Sequence, residues 1–178
     1  TYINMYKNYQ DLAFGGIKPT ISPESYLAET AVVIGDVHIG AESSIWHYVT
    51  IRGDVNYIRI GNRTNIQDGC VVHVSRNKGG QTIIGSNITI GHLALIHACE
   101  IQDNAFVGMK AMVMDNAVIE SYGMLAAGAV LTPGKVIKSR ELWMGTPAKF
   151  VRMLTDEDLA RMEENCAEYC WLAKKYRV

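Results

Sequence analysis

An aliphatic residue recurs at every sixth position from residue 21 to residue 137. The count runs Ile21, Leu27, Val33, Ile39, Ile45 and Ile51. After a short insertion around residues 55–59 it resumes at Ile60, Ile66 and Val72, and after the loop SRNKGGQT at Ile84, Ile90 and Ile96. One five-residue step follows, then Ile101, Val107, Val113, Ile119, Leu125, Leu131 and Ile137. Glycine often follows the aliphatic residue (Gly40, Gly61, Gly85, Gly91, Gly108), and four places after it stands a small side chain such as Ser43, Thr64, Ala94 or Ala111. Ordinary alternating strands do not hold such a period. A parallel β-helix does, with one hexapeptide for each face of a triangular prism. The aliphatic side chain points into the prism, the small one fits beside it, and Gly or Asn eases the corner. Three hexapeptides close a coil, so residues three hexapeptides apart stack at the inter-strand spacing of about 4.8 Å.

The tail changes period. In LTDEDLARMEENCAEYCWLAKKYRV, the residues Leu159, Met162, Cys166, Tyr169, Cys170 and Ala173 fall on helical spacing. Thr155 is placed as N-cap, acidic residues 156–158 lie in the first turn, and Lys174, Lys175 and Arg177 lie near the other end. The expected architecture is all-β: a hexapeptide-repeat β-helix over residues 1–155, including a lead-in, with an amphipathic α-helix over about 156–176 laid along its outside. Residues 156–178 belong to the same domain.

With 17 basic and 18 acidic residues, the chain carries no charge excess that would draw a nucleic acid or hold a membrane surface. No apolar run reaches membrane-spanning length, and TYINMYKNYQ lacks the apolar stretch of a signal peptide. Four cysteines, Cys70, Cys99, Cys166 and Cys170, form no CxxC pair, which fits reduced thiols and a cytoplasmic location.

The repeat gives directions to the histidines. If both insertions leave the face order intact, Ile51, Val72 and Ile96 share face A, Ile60 and Ile84 face B, and Ile66 and Ile90 face C. His73 and His97 each follow a face-A aliphatic residue, so they occupy the same outward position one coil apart, with Arg52 one coil further along that column. Two imidazoles so stacked can share one ion. His92 lies two places after Ile90, on face C, and cannot complete that site within one subunit. In a cyclic trimer, face C of one subunit can meet face A of the next, where His92 can supply a third ligand; three histidines leaving one position open is the pattern of a catalytic zinc site. The alternative is that they are surface or interface histidines making ordinary hydrogen bonds. His38 and His47 have no such stacking and are read as structural or surface residues.

RGDVNYIRIGNRTNIQDGCVVHV, then IGHLALIHACEI, then LWMGTPAKFVR together resemble the gamma-class carbonic anhydrase family, in its bacterial and mitochondrial branch. The specific part is Arg52, Asp54, Asn65, Gln67, Asp68, His73, His92 and His97, in order. The resemblance implies a left-handed coil, which the periodicity alone does not fix. It also implies a homotrimer with metal ligands His73 and His97 from one subunit and His92 from its neighbour. Gln67 and Asn65 would stand beside the metal-bound water, and Arg52 and Asp68 would form a salt bridge between subunits, with Asp54 supporting the site. Without the histidines, Asn65 would read as a corner residue. The implied cofactor is Zn²⁺, with Fe²⁺ or Co²⁺ as alternatives. The implied reaction is reversible hydration of CO₂ to bicarbonate by metal-bound hydroxide, since zinc lowers the pKa of its water to about 7.

One departure concerns proton transfer. Where the family prototype carries glutamates, this chain has Val55 and Arg76. Two other functions therefore stay open: a metal-retaining trimeric scaffold without catalysis, and a hexapeptide-repeat acyltransferase with one histidine as general base. The tail GTPAK is common to both groups and does not discriminate.

Overall fold

The computed structural model describes residues 11–177. Residues 1–10, to which the signal-peptide reading applied, lie outside them. The hexapeptides wind into a parallel β-helix, and the stacks fall where the six-residue count puts them. On face A, Ile51, Val72, Ile96, Val113 and Leu131 pair in register. On face B the series is Ile39, Ile60, Ile84, Ile101, Ile119 and Ile137. On face C it is Leu27, Ile45, Ile66, Ile90, Val107 and Leu125. Except for Leu27, at the N-terminal end, these side chains are buried. Each contributes about 2 kcal/mol of apolar burial. The small residues beside them, Ser43, Thr64, Ala94 and Ala111, are also buried. Ser43 and Thr64 donate to the carbonyls of Gly61 and Gly85. Burial pushes the Cys70 thiol up to about 12 and Cys99 further, so both are packing residues.

Faces A and B form one sheet because two long strands, Val32–Ile39 and Thr50–Ile60, run through the corner between them. Both insertions leave the face order intact, since Ile51 pairs with Val72 and Ile60 with Ile84.

The expectation that Gly or Asn eases the corner holds at part of the corners, with Gly69, Gly128 and Gly134 in the left-handed conformation. The left-handed conformation falls three places after the aliphatic residue. Asn87, Asn104 and Asn116 adopt it, but so do Arg63, Leu93 and Lys110. A non-glycine residue there costs about 1 kcal/mol. In return its N–H reaches a carbonyl of the preceding coil, as Leu93 N does to Asp68 O (2.9 Å) and Lys110 N to His92 O (2.8 Å). Glycine after the aliphatic residue serves close stacking instead. A Cβ on Gly91 would lie 2.6 Å from Met109 N, and one on Gly108 would lie 2.3 Å from Ala127 N.

Past Ile137 the chain adds a rung to face C with the strand Glu141–Gly145 and folds back antiparallel through Ala148–Met153. The helix then runs Asp156–Tyr176. Thr155 caps it: its hydroxyl accepts from Asp158 N–H while the Asp158 carboxylate accepts from Thr155 N–H, a reciprocal capping box. Its buried face is Met162, Cys166, Cys170 and Ala173. This face lies along face C, and Tyr169 and Tyr176 pack edge-on against Trp46 at 5.5 and 5.3 Å.

Candidate metal centre

His73 ends the strand Val71–His73 and His97 ends Leu95–His97; the two are direct register partners on face A. Their ring centroids are 5.3 Å apart. Each ring is turned by a carboxylate. Asp115 Oδ1 lies 2.6 Å from His97 Nδ1. A carboxylate only accepts, so Nδ1 carries the hydrogen, and the neutral ring then has its lone pair on His97 Nε2. Asp54 Oδ1 lies 3.0 Å from His73 Nε2 and also accepts from Val55 N–H at 2.8 Å. Arg52, one coil below, donates to Asp54 Oδ2. Burial raises the Asp54 pKa, but the hydrogen bonds from Arg52, His73 and Val55 and the Arg52 charge outweigh it and hold the carboxyl at about 2.

His92 occupies the corner after Ile90, on face C. The corner is fixed from both sides, because Leu93 N–H donates to the coil below and His92 O accepts from the coil above. Its Nδ1 faces Asp68 Oδ2 at 3.0 Å. The register explains this contact, since Ile66 pairs with Ile90 and each residue stands two places further on. Among the described residues, no three His, Cys, Asp or Glu side chains are arranged to hold an ion within one chain. The His73/His97 pair and His92 are thus two separate parts. Of the remaining histidines, His47 meets Thr30 Oγ1 at 3.0 Å and His38 stands 3.9 Å from Asp36.

His92 lines a cleft of about 530 Å³ between face C and the helix, with Gln67, Phe106, Met109, Met124, Met144, Asn165 and Tyr169. Asn65 is a strand residue with a buried side chain, not a corner residue. Gln67 Nε2 donates to Asn65 Oδ1 at 3.0 Å. Gln67 Oε1 has no partner among the described residues. Because no fully buried side-chain polar atom among them lacks one, that oxygen reaches the cleft surface.

A divalent ion suits this donor set. The free Nε2 of His97 and of His92, each opposite an Nδ1 held by a carboxylate, is the arrangement that imidazole ligands adopt. His73 differs from the other two, since it is Nε2 that is turned to its carboxylate, Asp54, and Nδ1 that is left unheld. Sequence reasoning missed Asp115. Asp115 follows Val113 by two places whereas His97 follows Ile96 by one, so a strict column does not contain it.

No family model matches the chain. It is 46% identical over 162 residues to a protein of Arabidopsis thaliana named gamma carbonic anhydrase 1, mitochondrial, covering 89% of this chain and 59% of the relative. The chain thus spans about three fifths of that relative's length. A protein of Methanocaldococcus jannaschii named probable carbonic anhydrase is 46% identical over 154 residues, covering 86% of this chain and 96% of its own. Among solved structures, a hexapeptide transferase family protein from Anaplasma phagocytophilum superposes with a TM-score of 0.91 at 45% identity, covering 96% of this chain and 99% of that one.

Proposed function

The chain belongs to the gamma carbonic anhydrase family, and from that membership we propose that it hydrates CO₂ reversibly to bicarbonate at metal centres shared between the subunits of a homotrimer. The observation that carries this reading is the in-register pair His73 and His97 on face A, with His92 set apart on face C, each ring held by its own carboxylate. Such a set is complete only when face C of one subunit meets face A of another. The surfaces suit that contact. Along face A the outward positions Val71, Leu95, Met112 and Val130 form an apolar ladder in register, with Val71 and Met112 each 41% exposed. On face C the cleft walls are Phe106, Met109, Met124 and Met144. The rest of the Arg52 guanidinium and the second oxygen of Asp68 remain available for the salt bridge between subunits.

Zinc, iron(II) and cobalt(II) all suit three imidazoles, and such an ion supplies an acidified water and polarises oxygen. The chain's own residues do the rest. Asp115 and Asp68 fix the tautomers and orientations of His97 and His92. Gln67 Oε1 accepts a hydrogen bond from the attacking oxygen and so aims its lone pair at the carbon of CO₂. The apolar walls admit an uncharged substrate.

A metal-retaining scaffold is the second reading, favoured by Val55 and Arg76 where the prototype has carboxylates. An acyltransferase needs one general base and leaves three carboxylate-held imidazoles without a purpose.

Complementation tests the shared centre. His73→Ala and His92→Ala should each abolish metal binding. In a cyclic trimer containing both variants, one interface joins an intact His73/His97 pair to an intact His92, so each mixed trimer should regain one site by metal analysis. Verified mixed trimers that hold no metal would remove the shared-site model.

A further inference from the structure

Four side chains form a single hydrogen-bonded file from the C-terminal helix to the cleft. Gln67 Nε2 donates to Asn65 Oδ1 (3.0 Å), Asn65 Nδ2 donates to Thr89 Oγ1 (2.9 Å), and Thr89 Oγ1 donates to Asn165 Oδ1 (3.0 Å). Every donor points the same way, towards the helix. Asn65, Gln67 and Thr89 are buried, and Thr89 is the direct strand partner of Asn65.

The file has a consequence for the sense of each amide. A carboxamide fits its space equally well after a half-turn, so only hydrogen bonds decide which end faces where. Thr89 has one hydroxyl hydrogen. While Asn165 Oδ1 takes it, the Thr89 oxygen can only accept from Asn65. Asn65 must then present its NH₂ to Thr89 and its oxygen to Gln67. Gln67 must in turn present its NH₂ to Asn65 and its oxygen to the cleft. If Thr89 donated to Asn65 instead, the whole file would run backwards and an N–H would face the cleft. Asn65 Nδ2 also reaches the Ile88 carbonyl, at 3.3 Å, a longer contact of the same sense.

We propose that Thr89 and Asn165 are positioning residues that set the sense of the Gln67 amide, and thereby make the centre select ligands that bring a hydrogen to it. An acceptor oxygen at the cleft favours an anion bearing a hydroxyl, such as bicarbonate, and disfavours an aprotic anion, whose lone pairs it repels. This selectivity rests on the metal-centre reading above and extends it to two residues outside the ligand set.

The test uses cobalt(II)-loaded trimers, with azide and bicarbonate titrated separately against the visible spectrum. Thr89→Val keeps the shape of the side chain and removes the hydroxyl. Freed Gln67 amides then turn N–H to the cleft, so azide should bind about tenfold more tightly and bicarbonate more weakly, an opposite change in two affinities that one hydrogen bond can produce. Asn165→Leu should act in the same direction. Thr89→Ser restores the hydroxyl and Asn165→Asp keeps an acceptor for it, so both should restore the wild-type ratio. Circular dichroism checks that the helix stays formed; where Asn165→Leu disturbs it, the Thr89 pair decides alone. If Thr89→Val leaves both affinities unchanged, the Ile88 carbonyl suffices and the proposal is overturned. If it weakens both anions together, the role of Thr89 is merely structural and the proposal is overturned as well. A wild-type trimer that takes up no cobalt, or whose spectrum responds to neither anion, overturns the metal-centre reading itself and the selectivity with it.

Discussion

At the scale of single residues, each histidine of the candidate centre has one nitrogen held by a carboxylate: His73 by Asp54, His92 by Asp68 and His97 by Asp115. Asp115 has the least shared duty, since Asp54 also pairs with Arg52 and Asp68 is the proposed partner in the salt bridge between subunits, whereas the Asp115 carboxylate meets His97 alone among the described residues. Asp115→Asn can keep the hydrogen bond but not the charge that raises the basicity of the far nitrogen. It should lower metal affinity by about 10- to 100-fold in chelator competition, with the trimer mass unchanged in light scattering. Unchanged affinity would reduce Asp115 to a surface contact. The histidine columns were legible because register follows from counting: once Val72 and Ile96 share a face, His73 and His97 must be neighbours. Their carboxylate partners were less legible. Asp68 could have been read as the partner of His92 from the same count, whereas Asp54 and Asp115 reach their histidines from positions one or two places out of column, where side-chain length and corner shape decide the contact. Thr89 and Asn165 lie 76 residues apart and meet only because the helix docks on face C.

Among the elements, the coils were legible and their corners were not. A hexapeptide count identifies which side chain enters the prism, but the left-handed position is fixed by the backbone, and Arg63, Leu93 and Lys110 adopt it without any residue-type signal. The hairpin after Ile137 was not foreseen, because its first strand keeps the six-residue step with Trp143 in place of an aliphatic residue and its second strand turns back antiparallel outside the count. The helix was foreseen closely, since its start is a chemical signature. Asp158 holds that start together. It accepts from Thr155 N–H and pairs with Arg152 through both guanidinium nitrogens (2.6 and 3.2 Å). The Arg152 hydrogen bonds first, and the Thr155 N–H next, hold its pKa well below the carboxylate range. A depressed folded pKa means that this contribution to stability is present above the unfolded value of about 3.9 and is lost as pH falls through the folded one. Acidification below about pH 4 should therefore weaken helix docking, and Asp158→Asn should flatten that part of the melting-temperature profile. Thr155→Ala should cost about 1 kcal/mol at neutral pH, read as a lower denaturant midpoint. Equal acid sensitivity in Asp158→Asn would move the cause elsewhere.

For the whole molecule, the proposed reaction requires that a proton leave the centre. CO₂ hydration releases one proton per turnover, and fast release needs a carrier with a pKa near the working pH that can reach bulk water. The residues around His73 offer none. Val55 packs against the core, Arg76 is exposed and cationic, and both oxygens of Asp54 are committed to Arg52, His73 and Val55 N–H. Asp68 and Asp115 face the histidines they hold. On the proposed reading, a trimer with such a centre binds and orients its substrate but is limited by proton export, with the buffer acting as the carrier. Its turnover should climb with the concentration of a small imidazole buffer and level off only when chemistry becomes limiting. Arg76→Glu places a carboxylate on the loop that follows His73, where the chain turns back through the Ser75 N–H to Gly80 carbonyl bond. That variant should raise the rate at low buffer and change it little at high buffer, because the added carrier is then redundant. Gln67→Ala should behave oppositely, lowering the rate at every buffer concentration while the metal stays bound, since orientation rather than export is lost. Metal-replete trimers that stay inactive at all buffer concentrations, with and without Arg76→Glu, would leave the binding geometry intact and assign the molecule to the scaffold reading.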